Sequence, residues 1–557
     1  MKNYLKIIAS FSLVFLMSNS CTKDFDQMNI SRSLVTQEIV DINMIFTKVL
    51  ADAVVNGENG FGGVYSGMAA ANAWNPFQTG ENNGVWDATY GNFGPNLSDI
   101  VDICTKRANA ADLVNNKAIA RILKVWAFAR VTDTYGDIPY FESCLPVEKA
   151  ITTPKYDLQK DIYNDFFKEL KEAVAELDAS KSSFGSADIL YNGDINKWKK
   201  FANSLRLRLA LRLRYVDAAT ATAQMADLTE ADLITSRDDD AFIANITDYP
   251  EHKNSLYTDL AARQATVVKA NVGKTLLDIL NDNSDPRLQV FSDTVKGYYP
   301  QIPDYHYLKY RGMPLLTGAN PEEGYAYGNN TVCKWTNLFW VEIRKFYLFK
   351  ASETYFNLAE AALFKIKAGD EQAYYEKGIE LAMADTKEMY DDAVPQLKDV
   401  VTFFNSGKTQ AEIDAALASD IAQTEITQTQ IDEFLNNAPV VTLTGSDEQK
   451  LEQIINQKMI AMFPMEHEGW CDQRRTGYPR ILVGLDNGPL QGHIPRRMPW
   501  PGSEKLINTE QYNIALAAIG GAGKDERTTN IWWEANPDPF KVHPGTVETR
   551  SSPWVSQ

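Results

Sequence analysis

The stretch from Trp198 to Val216 limits the fold more than any other part of the chain. Trp198, Phe201, Leu205, Leu209, Leu213 and Val216 recur every three to four residues through a run without Gly or Pro, as an amphipathic helix requires. Residues 205–214, LRLRLALRLR, alternate strictly and also fit a strand; the length of the run and the stripe upstream decide for a helix. The same period recurs at Ile119, Leu123, Trp126 and Arg130, and again at Tyr355, Ala359, Ala362 and Ile366, which stops at Gly369. Further helices are predicted over 42–55, 96–112, 158–178, 371–386, 409–420, 447–463 and 509–519. Helices at this density predict a mainly all-α fold of stacked hairpins, although no strict repeat consensus is visible. The long segments 57–95, 291–345 and 478–508 are rich in Gly, Asn, Pro and aromatics, and loops of that length in a compact protein are usually functional.

The N-terminus reads as an export signal. Lys2 and Lys6 precede an apolar run from Ile7 to Met17, and Ser20 stands directly before Cys21, which resembles the lipobox at which a bacterial lipoprotein cysteine is acylated. The position three residues before Cys21 is Ser18, with Leu16 and Met17 the nearest aliphatic residues. The expected organisation is a lipoprotein signal peptide over 1–20, a lipid-anchored tether over 21–40 and a single domain over 41–557. The apolar run is shorter than the roughly 20 residues needed to span a bilayer. The chain carries 73 acidic against 55 basic residues, and a nucleic-acid partner is excluded because no basic face can displace counterions. Cys104, Cys144, Cys333 and Cys471 show no metal-ligand spacing; one or two disulfides and isolated thiols are both compatible with an exported chain.

Enzyme motifs are absent: there is no HExxH, GxSxG, P-loop or GxGxxG in a strand-to-helix setting. Carboxylate pairs such as Asp238 with Asp240 or Glu466 with Glu468 carry little information in so acidic a chain. His467, between two glutamates, reads as part of a helix-end ion pair rather than as a metal ligand. Asp282, Asn283 and Asp285 offer oxygen donors of the kind calcium takes, but EF-hand spacing is missing and Asp-Pro turn chemistry accounts for them; no cofactor is expected. Arg474, Arg475 and Asp472 beside Trp470, like Arg496 and Arg497 beside Pro495 and Pro499, read as buried ion pairs that fix loops to helices.

Two segments carry binding chemistry. Sugar rings stack their C–H faces on aromatic π-faces, while their hydroxyls need amide or carboxylate partners at the ring edge. In 72–92, Trp74, Phe77, Trp86 and Tyr90 interleave with Asn72, Asn75, Gln78, Asn82 and Asp87. In 298–340, Tyr305, Tyr307, Tyr310, Tyr325, Tyr327, Trp335 and Trp340 crowd a stretch poor in aliphatic residues. The candidate ligand residues are Asn72, Trp74, Asn75, Phe77, Gln78, Trp86, Tyr305, Tyr307, Tyr327 and Trp335.

YGDIPY (135–140), WKKFANSLRLRLALRLR (198–214), DPRL (285–288), LAEAALF (358–364), GWCDQRRTGYPRI (469–481), IPRRMPWPGSE (494–504) and NIWWE (530–534) follow one another along most of the chain. Taken together they resemble the landmarks of the SusD/RagB family of nutrient-binding outer-membrane lipoproteins. The resemblance implies four tetratricopeptide-like helix pairs, with long irregular loops forming a ligand face away from the repeats. It also implies a cell-surface lipoprotein tethered at Cys21, with Lys23, Asp24 and Asp26 lying where such proteins carry acidic export signals. The partner it implies is a SusC-like TonB-dependent transporter, over which the lipoprotein acts as a lid delivering oligosaccharides or, in some members, peptides. Ligand residues transfer by region only, the segment 298–340 occupying the corresponding part of the chain. A surface glycoside hydrolase and a helical scaffold without a small ligand are the alternatives from other functional classes.

Overall fold

The computed structural model describes residues 40–57, 68–70, 83–244, 271–295, 309–313, 332–463, 465–481, 494–519 and 525–536. Nine principal helices organise them: α1 (Ile42–Gly57), α2 (Gly94–Lys106), α3 (Val114–Tyr135), α4 (Gln159–Glu176), α5 (Ile195–Arg212), α6 (Ala351–Leu363), α7 (Glu371–Ala393), α8 (Asp447–Met462) and α9 (Glu466–Thr476). Helix α2 packs on α3, α4 on α5, α6 on α7 and α8 on α9, giving four successive hairpins. The hairpins are joined by α3 against α4, α5 against α6 and α6 against α8, as stacked helical repeats require. Asn43–Gln557 forms one compact unit, and Met1–Ile42 a separate one of which only residues 40–42 are described.

Local chemistry sets the helix ends. Asp194 opens α5 by accepting from the backbone N–H groups of Asn196 at 2.9 Å and Lys197 at 3.2 Å, and Asp370 does the same for α7. Ser446 and Gln449 form a reciprocal capping box at α8. Helix α3 stops at Gly136, whose φ of 81° is a conformation that a side chain disfavours. The chain then runs into β2 (Ile138–Pro139), paired antiparallel with β3 (Tyr156–Asp157). Two other small antiparallel sheets are present, β1 (Ala69–Ala70) with β5 (Asn271–Val272) and β4 (Ala241–Ala244) with β6 (Lys345–Phe349).

The LRLRLALRLR run is helical, and burial explains its alternation. Leu205, Leu207, Leu209 and Leu211 are each at most 2% exposed, and Arg206, Arg208 and Arg212 at most 5%, so α5 is enclosed on every side from Phe201 onward and its arginines need partners. Arg208 forms a two-pronged pair with Glu353, Nε to Oε1 at 2.6 Å and Nη2 to Oε2 at 2.5 Å. Arg212 pairs with Asp133 and Glu468, and Arg214 reaches Glu360 at 3.0 Å. Glu360 also receives Arg475, which bonds Asp472 at 2.9 Å; Lys458 reaches the other oxygen of Asp472 at 2.7 Å. A 3.5 Å pair between Arg208 and Glu468 joins the first of these into one chain over α3, α5, α6 and α9, one helix from every hairpin, and the pairs around Glu360 and Asp472 form a second network over α6, α8 and α9.

The C-terminal segment closes the stack. The Arg474 guanidinium lies between the rings of Trp470 at 3.7 Å and Trp533 at 4.8 Å. Trp533 donates to Asp133 at 2.8 Å, Arg496 to Glu534 at 2.9 Å and Arg497 to Asp525 at 2.7 Å. The buried ion-pair reading of Arg474, Arg475, Arg496 and Arg497 therefore matches the structure. Asp285 is spent on Arg287, Nε to Oδ1 at 2.9 Å, and among the described residues no group of three or more His, Cys, Asp and Glu is placed to hold a metal. Cys104, Cys144, Cys333 and Cys471 are unpaired thiols.

Candidate functional site

The described ends of the long aromatic segments meet on one hydrogen-bonded platform. Gly273 N donates to Met68 O at 3.0 Å, Val272 N to Cys333 O at 3.0 Å and Met313 N to Val272 O at 2.8 Å. Cys333 N bonds Arg311 O at 2.8 Å and Asp293 N bonds Lys334 O at 2.8 Å, while Lys334 N returns to Asp293 Oδ1 at 2.7 Å. Residues 68–70, 271–273, 292–295, 309–313 and 332–335 thus form a knot of short extended pieces, each too brief to show a strand period. The knot needs Gly312: a Cβ there would stand 2.4 Å from Lys274 Cα. Met68, Val272, Phe291, Cys333 and Trp335 belong to the same apolar cluster as Phe356, Tyr375, Ile379 and Phe463, which seats the platform on the stack formed by α6, α7 and α8.

Of the residues singled out from sequence, Asn72, Trp74, Asn75, Phe77, Gln78, Tyr305, Tyr307 and Tyr327 lie outside the described residues, as does Cys21. The chain leaves for 71–82 from β1, for 296–308 from Val295 and for 314–331 from Met313, so the N-terminal flank of the first aromatic segment is brought together with the flanks of the second. Trp86 and Trp335 require correction. Each is 5% exposed, so neither offers a ring face to a ligand. Trp86 sits in a short helix, Gly84–Ala88, its ring 4.5 Å from Tyr90 and 5.2 Å from Tyr135. Tyr90 donates its hydroxyl to Pro139 O at 2.6 Å. Trp335 packs 4.8 Å from Phe463 and 5.3 Å from Phe339. Both rings hold their segments to the scaffold. Sequence reasoning missed the platform residues Asn271, Gly273, Arg311 and Gly312, for which the isolated glycines were the available signal.

His467 is built into the scaffold. Its Nε2 lies 3.2 Å from Thr134 Oγ1, and its Nδ1 lies 3.8 Å from Cys471 Sγ and 3.7 Å from Glu468 Oε1. Burial pushes its pKa down to about 4, the Glu468 carboxylate opposing and Arg130 and Arg212 assisting. Burial also opposes the charge on Glu468, but Arg208 and Arg212 outweigh it and hold that carboxyl well below its ordinary range. A carboxylate so committed to two guanidiniums is neither a free base nor an open metal ligand. Among the described residues no helix is long and apolar enough to cross a membrane.

Comparison with known proteins agrees with this architecture. The family model described as SusD and RagB outer membrane lipoprotein matches residues 24–534. Among solved structures, a chitin-binding protein aligns with a TM-score of 0.68 and 26% identity, covering 89% of this chain and 99% of the other. A chitin-binding SusD homologue from Flavobacterium johnsoniae aligns at 0.63 and 27% identity, covering 90% and 100%, and a SusD homologue from Bacteroides uniformis at 0.65 and 26%, covering 89% and 100%. A search of curated proteins gave no match. With its four helix pairs, its enclosed arginine run and a family match over nearly its whole length, the chain belongs to the SusD/RagB family of outer-membrane lipoproteins.

Proposed function

We propose that this protein captures an oligosaccharide at the cell surface without cleaving it and passes it to a TonB-dependent transporter, held to the outer membrane by lipid on Cys21. The observation that carries the reading is the platform, which joins the N-terminal flank of one aromatic, amide-rich segment to the flanks of the other on one base. Relatives described as chitin-binding share the fold at 26–27% identity, which favours a glycan built of acetamido sugars. Trp74 is the proposed stacking platform, with Asn72, Asn75 and Gln78 serving ring hydroxyls and Tyr305, Tyr307 and Tyr327 contributing from the second segment. A few preformed stacking contacts give modest affinity, which suits a protein that must release its ligand to a transporter.

Detergent extraction of the native lipoprotein tests partner and location together. A large β-barrel is expected to co-purify, and mass spectrometry is expected to find a lipidated N-terminal Cys21. An unmodified Cys21, or a lipoprotein that purifies alone, overturns the delivery reading. Titration with a panel of glycans and peptides assigns the ligand, and binding of peptides alone replaces the sugar by a peptide on the same fold.

A further inference from the structure

Eight Met, Phe, Ile and Leu side chains are more than 40% exposed among the described residues, and six of them come from two pieces of chain: Phe141, Ile151 and Leu158 from one, Leu506, Ile507 and Ile514 from the other. The two pieces are tied together. The Tyr156 hydroxyl donates to Glu504 Oε2 at 2.9 Å, and Asn508 Nδ2 to Pro154 O at 2.8 Å. Between them the Trp500 ring packs 4.8 Å from Tyr156 and 5.7 Å from Tyr512. The second piece is a pair of short helices, Gly502–Ile507 and Thr509–Ala518, and it shares no residue with the platform.

A surface helix ordinarily sets charged and polar groups opposite its buried stripe. Thr509–Ala518 buries Tyr512 and Ala515, yet the chain has no charged residue from Gln511 to Ile519. Its outer side presents Ile514 at 57% exposure, Ala517 and Ala518 beside the single amide of Asn513. At the bend before it, the neighbours Leu506 and Ile507 stand 83% and 70% exposed, a projecting aliphatic tip. Apolar surface gathered in this way marks a contact with something apolar.

The composition favours lipid over protein. Protein interfaces draw most of their energy from Trp, Tyr and Arg, with Leu under-represented, and here Trp500 and Tyr512 are both buried. A bilayer asks only for apolar side chains that reach past its headgroups. It is also the apolar phase nearest to hand. The 20 residues between Cys21 and Ile42 span at most about 70 Å, so lipid on Cys21 keeps the body within reach of the bilayer at a high effective concentration.

We propose that Leu506, Ile507 and Ile514 enter the interface of the bilayer, giving the tethered protein a second, reversible contact with the membrane. The proposal rests on the reading that Cys21 is lipidated, since a lipid and a weak apolar contact reinforce one another.

The test uses the full mature chain with Cys21→Ser, which carries no lipid, sedimented with phosphatidylcholine vesicles. This chain is expected to partition onto the vesicles. Leu506→Ser and Ile507→Ser are each expected to weaken the partition about tenfold, the scale of one large aliphatic side chain withdrawn from an apolar phase, at positions too exposed to put folding at stake. Met44→Ser, 73% exposed on α1 and outside both pieces, is expected to change nothing. Phosphatidylglycerol in the vesicles is expected to weaken binding at low salt, because acidic residues outnumber basic ones; stronger binding would assign the contact to charge and overturn the proposal. No partition, or indifference to both serines, overturns the membrane face, while acylation of Cys21 is read separately by mass spectrometry. Without vesicle binding, a concentration-dependent dimer that the serines dissolve gives the face to a second copy. Without vesicle binding, co-purification of the native lipoprotein with a β-barrel that the serines abolish gives it to the transporter. Either result overturns the proposal.

Discussion

Glu360 is 1% exposed and receives Arg475 and Arg214. Glu360→Ala takes from Arg214 its carboxylate and leaves Arg475 with Asp472 alone, and is expected to cost about 3–5 kcal/mol, read as the shift in a urea unfolding midpoint. The exposed pair Lys377–Glu380 provides the contrast, since Glu380→Ala is expected to cost less than about 1 kcal/mol. His467 gives the fold a pH dependence of definite sign. Its pKa lies at about 4 in the folded chain against an ordinary 6.5, so between those values the unfolded chain binds a proton that the native chain refuses. Its contribution is whole above pH 6.5 and is lost as pH falls towards 4, up to about 3 kcal/mol. His467→Gln is expected to flatten thermal stability against pH across that window, and an unchanged profile would refute the assignment. At this scale the sequence was informative about need and silent about partners. Arginines in a leucine-rich helix must be paired, but Arg208 finds Glu353 and Arg212 finds Glu468 far along the chain. Trp86 and Trp335 were misread for the same reason, because the rings that bury them, Tyr135 and Phe463, are remote in sequence.

Helices were the most legible elements because apolar stripes and caps are local. The run predicted over 158–178 is observed as Gln159–Glu176, and that over 447–463 as Asp447–Met462. Helix α7 runs on to Ala393 rather than ending at 386, since nothing in its sequence forces a stop before Pro395. The sheets were not legible: strands of two to five residues carry no usable period, and their partners come from distant segments. Asp194→Ala should cost about 1 kcal/mol through loss of the α5 cap, measured by chemical denaturation. Gly312→Ala acts on the platform instead. Its Cβ would meet Lys274 backbone, so the 273–274 and 311–313 pieces must part; ligand affinity is expected to fall while far-UV circular dichroism stays that of wild type.

In the whole molecule, a continuous ionic chain joins the four hairpins, and the C-terminal segment bonds back to α3 and α9 through Trp533 and Glu534. Deleting residues 525–557 removes the carboxylates facing Arg496 and Arg497 and is expected to abolish soluble expression. The helical stack thus gives the platform its base, and the proposed ligand chemistry belongs to the segments that leave from it. The most direct measurement is calorimetric titration of mature protein with chitooligosaccharides, with reducing-end release followed in parallel. The account expects saturable binding, no release of new reducing ends, and an affinity loss of about tenfold or more in Trp74→Ala, the scale of one lost stacking contact. Glycan turnover that a single carboxylate substitution abolishes, or binding that is indifferent to Trp74, would contradict it.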